Sequence, residues 1–437
     1  MATAHTTVKT KYNATVGLAL GLGVALTTWM VPRSAAAEVK ISDVEGWQFS
    51  TNGRVNAFLS YLTADGYPAD LPGQTHNLSA GAGLESNQAD NANHVQTLRL
   101  RSGFVGAVLG FSLKTQLDAN NSIRAHIETW NTIETKRQKA APNAPDVREA
   151  YGKVEGRWGG LLFGRALALF SHGAITLDYT YLHGNGLGYP CNADGGGPTC
   201  GQVGYGVVFA GFNPQITYNT PKFSGFQVTA GVFDPTNAAG KLEKTPIPRL
   251  EGEVTFDHED ASGTKLHVFV NGMWQVLVQK GDTKTPNAPP PKSATARGVN
   301  YGFWAELAML RLGFSSHVGK GIGMNDTLEN TGVVFDSDLN PRKFDAYFGV
   351  AGVDLGKVYL GVGVGVTRLF ATQKDRENAL LSQQDPIKSQ RGISAVVNYR
   401  FSKNLIADLD YFNAKHTWYL GDTQSVNVLN AGATMAW

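Results

Sequence analysis

Long stretches of alternating apolar and polar residues recur along this 437-residue chain and limit its fold more than any other feature. In Trp47–Tyr61, Val55 and Leu59 fall on one face of an extended chain, and Arg54 and Asn56 fall on the other. A period of two residues indicates a β-strand with one apolar face. The same pattern returns in Ser122–Trp130, Gly225–Phe233, Lys265–Val278, Lys357–Leu369 and Arg391–Phe401.

The connections between these segments alternate in length. Short turns are found at Asp118–Ser122, Arg157–Gly160, Glu259–Gly263, Asp354–Lys357 and Phe401–Asn404. Long polar stretches separate them at Thr63–His94, Asn131–Asp146, Ala168–Gly211, Lys280–Ala296, Gly319–Pro341 and Ala371–Lys388. Short turns at one end of the strands and long loops at the other predict an up-and-down antiparallel meander.

Strand length distinguishes a soluble meander from a membrane barrel. Several segments run for about 10 to 14 residues, which exceeds typical soluble strands and suits a tilted bilayer crossing. We count about sixteen strands, an even number in the range of outer-membrane barrels. We therefore predict an all-β transmembrane barrel with its apolar face toward lipid. Between Leu98 and Leu113 the apolar phase slips from even to odd positions, which predicts a bulge or a displaced strand boundary.

Alternation continues to the last residue. Leu429, Met435 and Trp437 share one face, and Asn430 and Thr434 share the other. A closed barrel has no edge strand, so the last strand must pair with the first. We expect Trp437 to lie at a membrane interface, where aromatic residues concentrate.

Residues 1–37 have the pattern of a secretory signal peptide. Lys9 and Lys11 precede an apolar run, Val16–Val31, and small residues at Ala35–Ala37 predict cleavage after Ala37. An uncleaved anchor helix is the alternative, although the apolar run is short for one. The mature domain is then 38–437, in which no long apolar run predicts a membrane-spanning helix.

Cys191 and Cys200 are the only cysteines of the chain. In an exported protein a disulfide that closes a loop is the simplest interpretation of two nearby cysteines, and a metal or redox pair is the alternative. The formal net charge of +2 and the absence of a long basic run argue against nucleic-acid binding.

Two segments carry a resemblance to a known family. The sequence "DVREAYGKVEGRWGGLLFGRALA", 146–168, and the sequence "NPQITYNTPKFSGFQVTAGVF", 213–233, are similar to strand–turn–strand units of the trimeric general porins of Gram-negative outer membranes. The resemblance implies passive diffusion of small hydrophilic solutes and ions through a homotrimer surrounded by outer-membrane lipids. It implies that 168–211 is the constriction loop inside the barrel and that Asn131–Asp146 contacts a neighbouring protomer. It also implies that Trp437 belongs to the signal read by the barrel-assembly machinery.

The chain departs from the family pattern at two places. Family members usually end in Phe, whereas this chain ends in Trp437. The family's constriction loop often carries an acidic Glu-Phe-Gly-Gly segment, whereas 168–211 contains only Asp178 and Asp194 as acids. Both departures concern the residues that would carry assembly and selectivity.

Arginine is the main candidate for a charged channel wall. Arg54, Arg99, Arg101 and Arg124 lie on the polar phase of their strands, and the resemblance places Arg148 and Arg165 in the channel as well. Because these cations outnumber the acids of the loop, we predict a weak anion preference. The alternative is that they lie near the barrel ends and pair with Glu128, Glu149 or Glu155.

Other functions compete with a general pore. A sugar-specific channel would need aligned aromatic rings, for which Trp274, Trp304, Tyr347 and Tyr359 are candidates, and a phosphate channel would need converging cations. A structural barrel with a plugged lumen is a further alternative. Ser171 and His172 could suggest a barrel enzyme, but adjacent side chains point apart and do not form a triad. We predict no catalytic residue, cofactor or metal.

A glycine row lies on one face of a late strand. Gly361, Gly363 and Gly365 alternate with apolar residues. Such a row would let a loop approach the strand closely, or it would simply leave the wall bare.

Overall fold

The computed structural model describes residues 38–65, 75–77, 94–131, 133, 145–178, 187–191, 197–236, 242, 247–279, 290–328, 334–380 and 384–437. The predicted signal peptide, 1–37, lies outside the described residues, and so do Asp194 and most of Asn131–Asp146.

The chain forms a closed antiparallel barrel of sixteen strands, which confirms the predicted fold class. The strands are β1 (Trp47–Asp65), β2 (His94–Arg101 and Ala107–Gln116), β3 (Asn121–Asn131), β4 (Asp146–Gly156), β5 (Gly159–Leu167), β6 (Phe212–Asn219), β7 (Phe226–Phe233), β8 (Arg249–Glu259), β9 (Lys265–Val278), β10 (Ser293–Leu307), β11 (Leu310–Lys320), β12 (Lys343–Asp354), β13 (Val358–Phe370), β14 (Gln384–Arg400), β15 (Leu405–Trp418) and β16 (Thr423–Ala436).

The barrel closes where β16 pairs with β1, from Val426 opposite Ala64 to Ala436 opposite Arg54. Trp437 extends this pairing, because its N–H donates to the Gly53 carbonyl at 3.0 Å and its carbonyl accepts from the Gly53 N–H at 3.0 Å. Its ring lies over Gly53, where a Cβ would be only 2.4 Å from the ring. Closure satisfies the backbone polar groups that a sheet edge would expose to lipid.

The phase slip in the second strand corresponds to an interruption. In the first half of β2, Leu98 and Leu100 face outward, and in the second half Leu109 and Phe111 do so. Residues 102–106 between them are not paired in the sheet. As a result, the outward-facing residues have even numbers before the interruption and odd numbers after it.

The polarity of the two faces of the wall is the reverse of that in a soluble barrel, because the outward face is apolar and the inward face is polar. Outward positions such as Leu59, Leu98 and Val362 are more than half exposed, whereas inward positions such as Asn300 and Asn430 are fully buried. A barrel in lipid requires this arrangement. Apolar residues face inward where loops cover the wall, as at Phe348 and Phe412.

Shorter elements complete the fold. Val39–Val44 forms a hairpin with the start of β1, and Thr75–Asn77 pairs in parallel with the start of β14. Among the described residues, the helices are α1 (His172–Leu177) and α2 (Gln373–Leu380). In the described part of the chain, no helix is long and apolar enough to cross a membrane.

Candidate channel constriction

The loop between β5 and β6 folds into the barrel, as predicted. Its base is closed by the Ala168 N–H, which donates to the Gly211 carbonyl at 3.0 Å. The Glu251 carboxylate on β8 accepts the N–H groups of Leu169 and Phe170, each at 2.8 Å. Arg249 pairs with Glu251 at 2.8 Å, and both side chains are buried. A buried carboxylate therefore fixes the point where the loop enters the lumen.

The helix α1 then packs against β9, β10 and β11 inside the barrel. Two glycines permit this contact. A Cβ at Gly173 would be 2.2 Å from the Phe269 ring, and a Cβ at Gly313 would be 2.0 Å from a Leu177 methyl group. Leu177 belongs to a buried cluster that includes Phe348 on β12.

The returning half of the loop lies against β13 to β16. The Cys191–Cys200 disulfide is formed, with Cα atoms 5.1 Å apart, as predicted. Gly188 N–H donates to Asp410 on β15 at 3.2 Å, and the Tyr205 hydroxyl hydrogen-bonds His416 Nε2 at 2.8 Å. The loop is thus attached to the wall at both of its ends.

The glycine row marks a close approach of the loop at one position. A Cβ on Gly365 would be 1.8 Å from the Tyr205 carbonyl oxygen, and the Gly206 N–H donates to Thr367 at 2.9 Å. A Cβ on Gly363 would be 3.3 Å from the side chain of Gln202. The loop alternative is therefore confirmed at Gly365.

On the opposite wall, β3 and β4 present charged side chains to the lumen. Arg124 contacts Glu38 and lies 2.8 Å from the Ser112 hydroxyl. His126 is hydrogen-bonded to Ser112 at 2.8 Å and lies 3.5 Å from Glu149. Glu149 and Arg124 keep 23% and 21% of their side-chain surface accessible, so both can meet solutes.

A second carboxylate on this wall is held by neutral donors. Glu128 accepts hydrogen bonds from Trp130 Nε1 at 2.6 Å and from Asn52 Nδ2 at 2.9 Å. His126 Nε2 lies 3.8 Å from a Glu128 carboxylate oxygen. In these contacts Glu128 lies beside Glu149 and has no guanidinium partner.

The loop contributes a histidine that faces these carboxylates. His172 Nδ1 lies 3.3 Å from both carboxylate oxygens of Glu253 on β8. Burial disfavours the charged imidazole, but the charges of Glu253 and Glu149 and the hydrogen bond to Glu253 outweigh burial and raise the pKa of His172 above its ordinary value. A titratable group thus lies between the loop and the wall.

The predicted arginines divide into several groups. Arg54, Arg99 and Arg124 face inward, although Arg54 is almost fully buried. Arg101 also points inward, but it is fully buried and donates to the Gly197 carbonyl of the loop at 2.8 Å. Its environment corrects the predicted pore-lining role: Arg101 holds the loop and does not meet solutes.

Arg148 and Arg165 differ from each other in orientation. Arg148 pairs with Asp146 at 2.8 Å and lies 4.6 Å from the centre of the Trp130 ring, on the inward side. Arg165 is exposed and pairs in register with Ala150 and Pro214, on the outward phase of Phe163. The strand register therefore does not support a channel position for Arg165.

Of the two predicted acids of the loop, Asp178 is in the described structure, and it does not line the channel. Asp178 is fully buried and accepts the Gln202 N–H at 3.0 Å, so it has a structural role inside the loop. Asp194 lies outside the described residues. Sequence reasoning missed Glu253 and His126 as channel residues, although both lie on the polar phase of their strands.

The aromatic candidates for a sugar slide do not share one surface. Trp274 faces outward, whereas Tyr359 is fully buried inside. Trp304 stacks on His267 with ring centres 5.5 Å apart, and Tyr347 lies beneath the guanidinium of Arg368 on the outward side. These rings cannot form a continuous path.

The serine considered for catalysis serves the loop structure. Ser171 Oγ donates to the Val208 carbonyl at 2.5 Å and is hydrogen-bonded to His317 Nε2 at 2.7 Å. Both side chains are fully buried, and His317 Nδ1 has no hydrogen-bond partner in the described structure. In the part of the chain that the structure describes, no third side chain orients this histidine as a catalytic triad requires.

Comparisons with known proteins give a family and a fold. A family model described as Gram-negative porin matches residues 21–434. The outer membrane channel DcaP of Acinetobacter baumannii is similar with a TM-score of 0.63 and 14% identity, covering 91% of this chain and 100% of that chain. The anion-selective porin from Comamonas acidovorans is similar with a TM-score of 0.58 and 13% identity, covering 90% of this chain and 100% of that chain. OprB of Pseudomonas putida has a TM-score of 0.51 and 12% identity, covering 90% of this chain and 94% of that chain. No curated protein sequence matches this chain.

Proposed function

Because this chain belongs to the Gram-negative porin family, we propose that its barrel is a water-filled channel for passive diffusion of small hydrophilic solutes and ions. The protein is an outer-membrane channel. We further propose where the channel is narrowest and which ions it prefers, because both depend on charges and contacts inside the barrel.

The observation that carries the proposal is the position of the loop. Its entry is anchored on β8 and its return on β13 to β16, and His172 faces Glu149 and Glu253. The passage therefore lies between α1 and the charged wall of β3 and β4. This pairing of loop and wall is the constriction that we assign to 168–211.

The arginines alone predict a weak anion preference, but the ion pairs of the described wall lead us to propose the opposite sign. Two of its cations have carboxylate partners, since Arg124 contacts Glu38 and Lys153 lies 2.7 Å from Glu155. Glu149 has no Arg or Lys within ion-pair distance in the described structure, and neither has Glu128. We expect weak cation preference near neutral pH.

Acid should reverse part of this preference. The groups that face His172 are Glu253 and Glu149, and His126 and Glu128 lie on the same wall as Glu149. Protonation of any of them makes the constriction more positive. Acidification therefore moves the channel toward anions.

The family resemblance also leads us to propose a homotrimer. The loop expected to contact a neighbouring protomer, Asn131–Asp146, lies largely outside the described residues. Contacts with the barrel-assembly machinery remain a prediction of the same kind. Trimeric association predicts that the conductance falls in three equal steps as the three channels of one trimer close.

Single-channel conductance in a planar lipid bilayer with a salt gradient tests the proposal. A general pore gives large ohmic steps, and the reversal potential gives the sign of its selectivity. An inserted, folded barrel that does not conduct would overturn the diffusion-pore proposal. Conduction with saturable block by one solute would favour a substrate-specific channel, and anion preference at neutral pH would refute the role given to Glu128 and Glu149.

A further inference from the structure

A group of aromatic rings lies together at the long-loop end of the channel. Trp130 on β3 contacts Phe212 at the start of β6, with ring centres 5.3 Å apart, and Phe212 contacts Phe209 of the loop at 6.1 Å. Phe104, between the two halves of β2, contacts Phe209 at 6.4 Å. All of these rings are half-buried, so each keeps part of its surface accessible. We name this set the aromatic cluster.

The aromatic cluster surrounds the guanidinium group of Arg148. The guanidinium carbon lies 4.6 Å from the centre of the Trp130 ring, 5.4 Å from that of Phe212 and 5.9 Å from that of Phe209. The ring faces attract a cation at these distances. Arg148 Nε also donates to the Asp146 carboxylate at 2.8 Å. The guanidinium is therefore held in a fixed orientation beside the rings.

The outer edge of this guanidinium is available to a ligand. Arg148 keeps 29% of its side-chain surface accessible. Its terminal nitrogens, Nη1 and Nη2, make no hydrogen bond within the described part of the chain. The planar fork of an arginine matches a carboxylate, which accepts two parallel charge-assisted hydrogen bonds. The site thus offers an unused anion fork next to accessible aromatic surface.

The site lies on the route to the constriction. Trp130 follows Glu128 on the inward face of β3, and β4 begins at Asp146, directly after a long loop. A solute that enters from the long-loop end therefore reaches Trp130 and Arg148 before it reaches Glu128 and Glu149.

We infer that Arg148 and the aromatic cluster form a subsite for small aromatic carboxylates, an inference that rests on the proposed pore. The solute carboxylate accepts hydrogen bonds from Nη1 and Nη2 of Arg148, and the solute ring packs against the aromatic cluster. A neutral sugar would leave the fork without an acceptor. An aliphatic carboxylate would gain less from the rings.

Two acids near Arg148 limit the affinity. Asp146 accepts the hydrogen bond from Arg148 Nε, and the backbone of Asp326 pairs with Phe209. Burial raises the pKa of Asp326, although the nearby charge of Arg148 opposes this rise. When ionised, both acids repel an incoming carboxylate. Weak binding suits a channel, because a solute must leave the site as readily as it enters.

The test measures the mean duration of the brief current interruptions that benzoate causes in single channels in planar lipid bilayers. Cyclohexanecarboxylate is the comparison probe, since it has the same charge and no planar ring. The test variants are Arg148→Gln and Phe212→Leu. Their matched controls are Arg165→Gln and Phe163→Leu, which replace the same residue types on the outward face of β5. Ohmic conductance of each variant shows that its barrel is folded and open.

We expect interruptions by cyclohexanecarboxylate to be about threefold shorter than those by benzoate, because an aromatic pair is lost. Arg148→Gln should shorten the benzoate interruptions about tenfold, because it removes the charge-assisted hydrogen bonds. Phe212→Leu should shorten them about threefold, and the controls should match the parent protein.

Benzoate interruptions of unchanged duration in Arg148→Gln would overturn the inference, as would equal durations for the two carboxylates. A parent channel that conducts without interruption by benzoate would overturn this inference alone. A folded, inserted barrel that does not conduct would overturn the proposed pore instead, so the two failures are distinguishable.

Discussion

Gly365→Ala tests whether the loop position sets the width of the channel. The added Cβ would be 1.8 Å from the Tyr205 carbonyl oxygen and 2.8 Å from its carbon, whereas ordinary contacts begin near 3.4 Å. The carbonyl must therefore move by roughly 1.6 Å, and overpacking of this kind costs about 1–3 kcal/mol. The hydrogen bond from Gly206 to Thr367 lies beside the clash and should weaken too.

Because β13 is a fixed strand of the barrel, the loop must move away from it and toward the wall of β3 and β4. We expect a lower single-channel conductance and a lower free energy of unfolding in guanidinium chloride. Gly349→Ala is the matched control, since a Cβ there would meet nothing within 4 Å. Equal conductance and stability in the two variants would refute the idea that contact at Gly365 positions the loop.

Three further predictions concern the loops. Replacement of Cys191 and Cys200 by Ser removes a bond that spans nine positions, which should cost about 2–3 kcal/mol of stability and increase current fluctuations in bilayer recordings. Arg342→Ala should cost about 3–5 kcal/mol in chemical unfolding, because it leaves the buried Asp375 carboxylate unpaired. Burial raises the pKa of Asp375 but Arg342 holds it below its ordinary value, so this stabilisation should be present above the ordinary carboxyl pKa and be lost as pH falls through the folded-state pKa. His172→Gln should reduce the shift of reversal potential toward anions on acidification, because the raised pKa of His172 makes it a cation in mild acid; an unchanged shift would exclude His172.

Strand periodicity was sufficient to predict the barrel because lipid enforces it. At β1 the alternation of Val55 and Leu59 with Arg54 and Asn56 follows directly from an apolar exterior and a polar interior. The slip of phase near Leu98 marked the interruption of β2. The position of Trp437 followed from the need to close the sheet, and it pairs with Gly53.

For Arg165, strand periodicity predicts the orientation better than the family resemblance does. Leu161, Phe163 and Arg165 share one phase, which places Arg165 on the outward face, and the structure has it there. The role of Arg101 could not be derived in this way. Its strand phase is inward as predicted, but only the folded loop shows that Gly197 covers it.

The constriction depends on long-range contacts that local patterns do not encode. Glu251 and Glu253 follow the same alternation in β8, yet one caps the loop backbone and the other faces His172. Asp178 could have faced water or the loop interior, and Gln202 binds it in the interior. Which polar residues meet solutes is decided by where the loop packs.

Cysteine accessibility tests the constriction most directly, because both native cysteines are joined in the disulfide. Glu149→Cys and His172→Cys would be treated, in bilayer recordings, with a water-soluble cationic thiol reagent, and Ala57→Cys on the lipid-facing side of β1 is the control. We predict stepwise loss of conductance for the first two variants and none for the control or the parent protein. A conducting Glu149→Cys channel that the reagent leaves unchanged would contradict a constriction between α1 and the wall of β3 and β4.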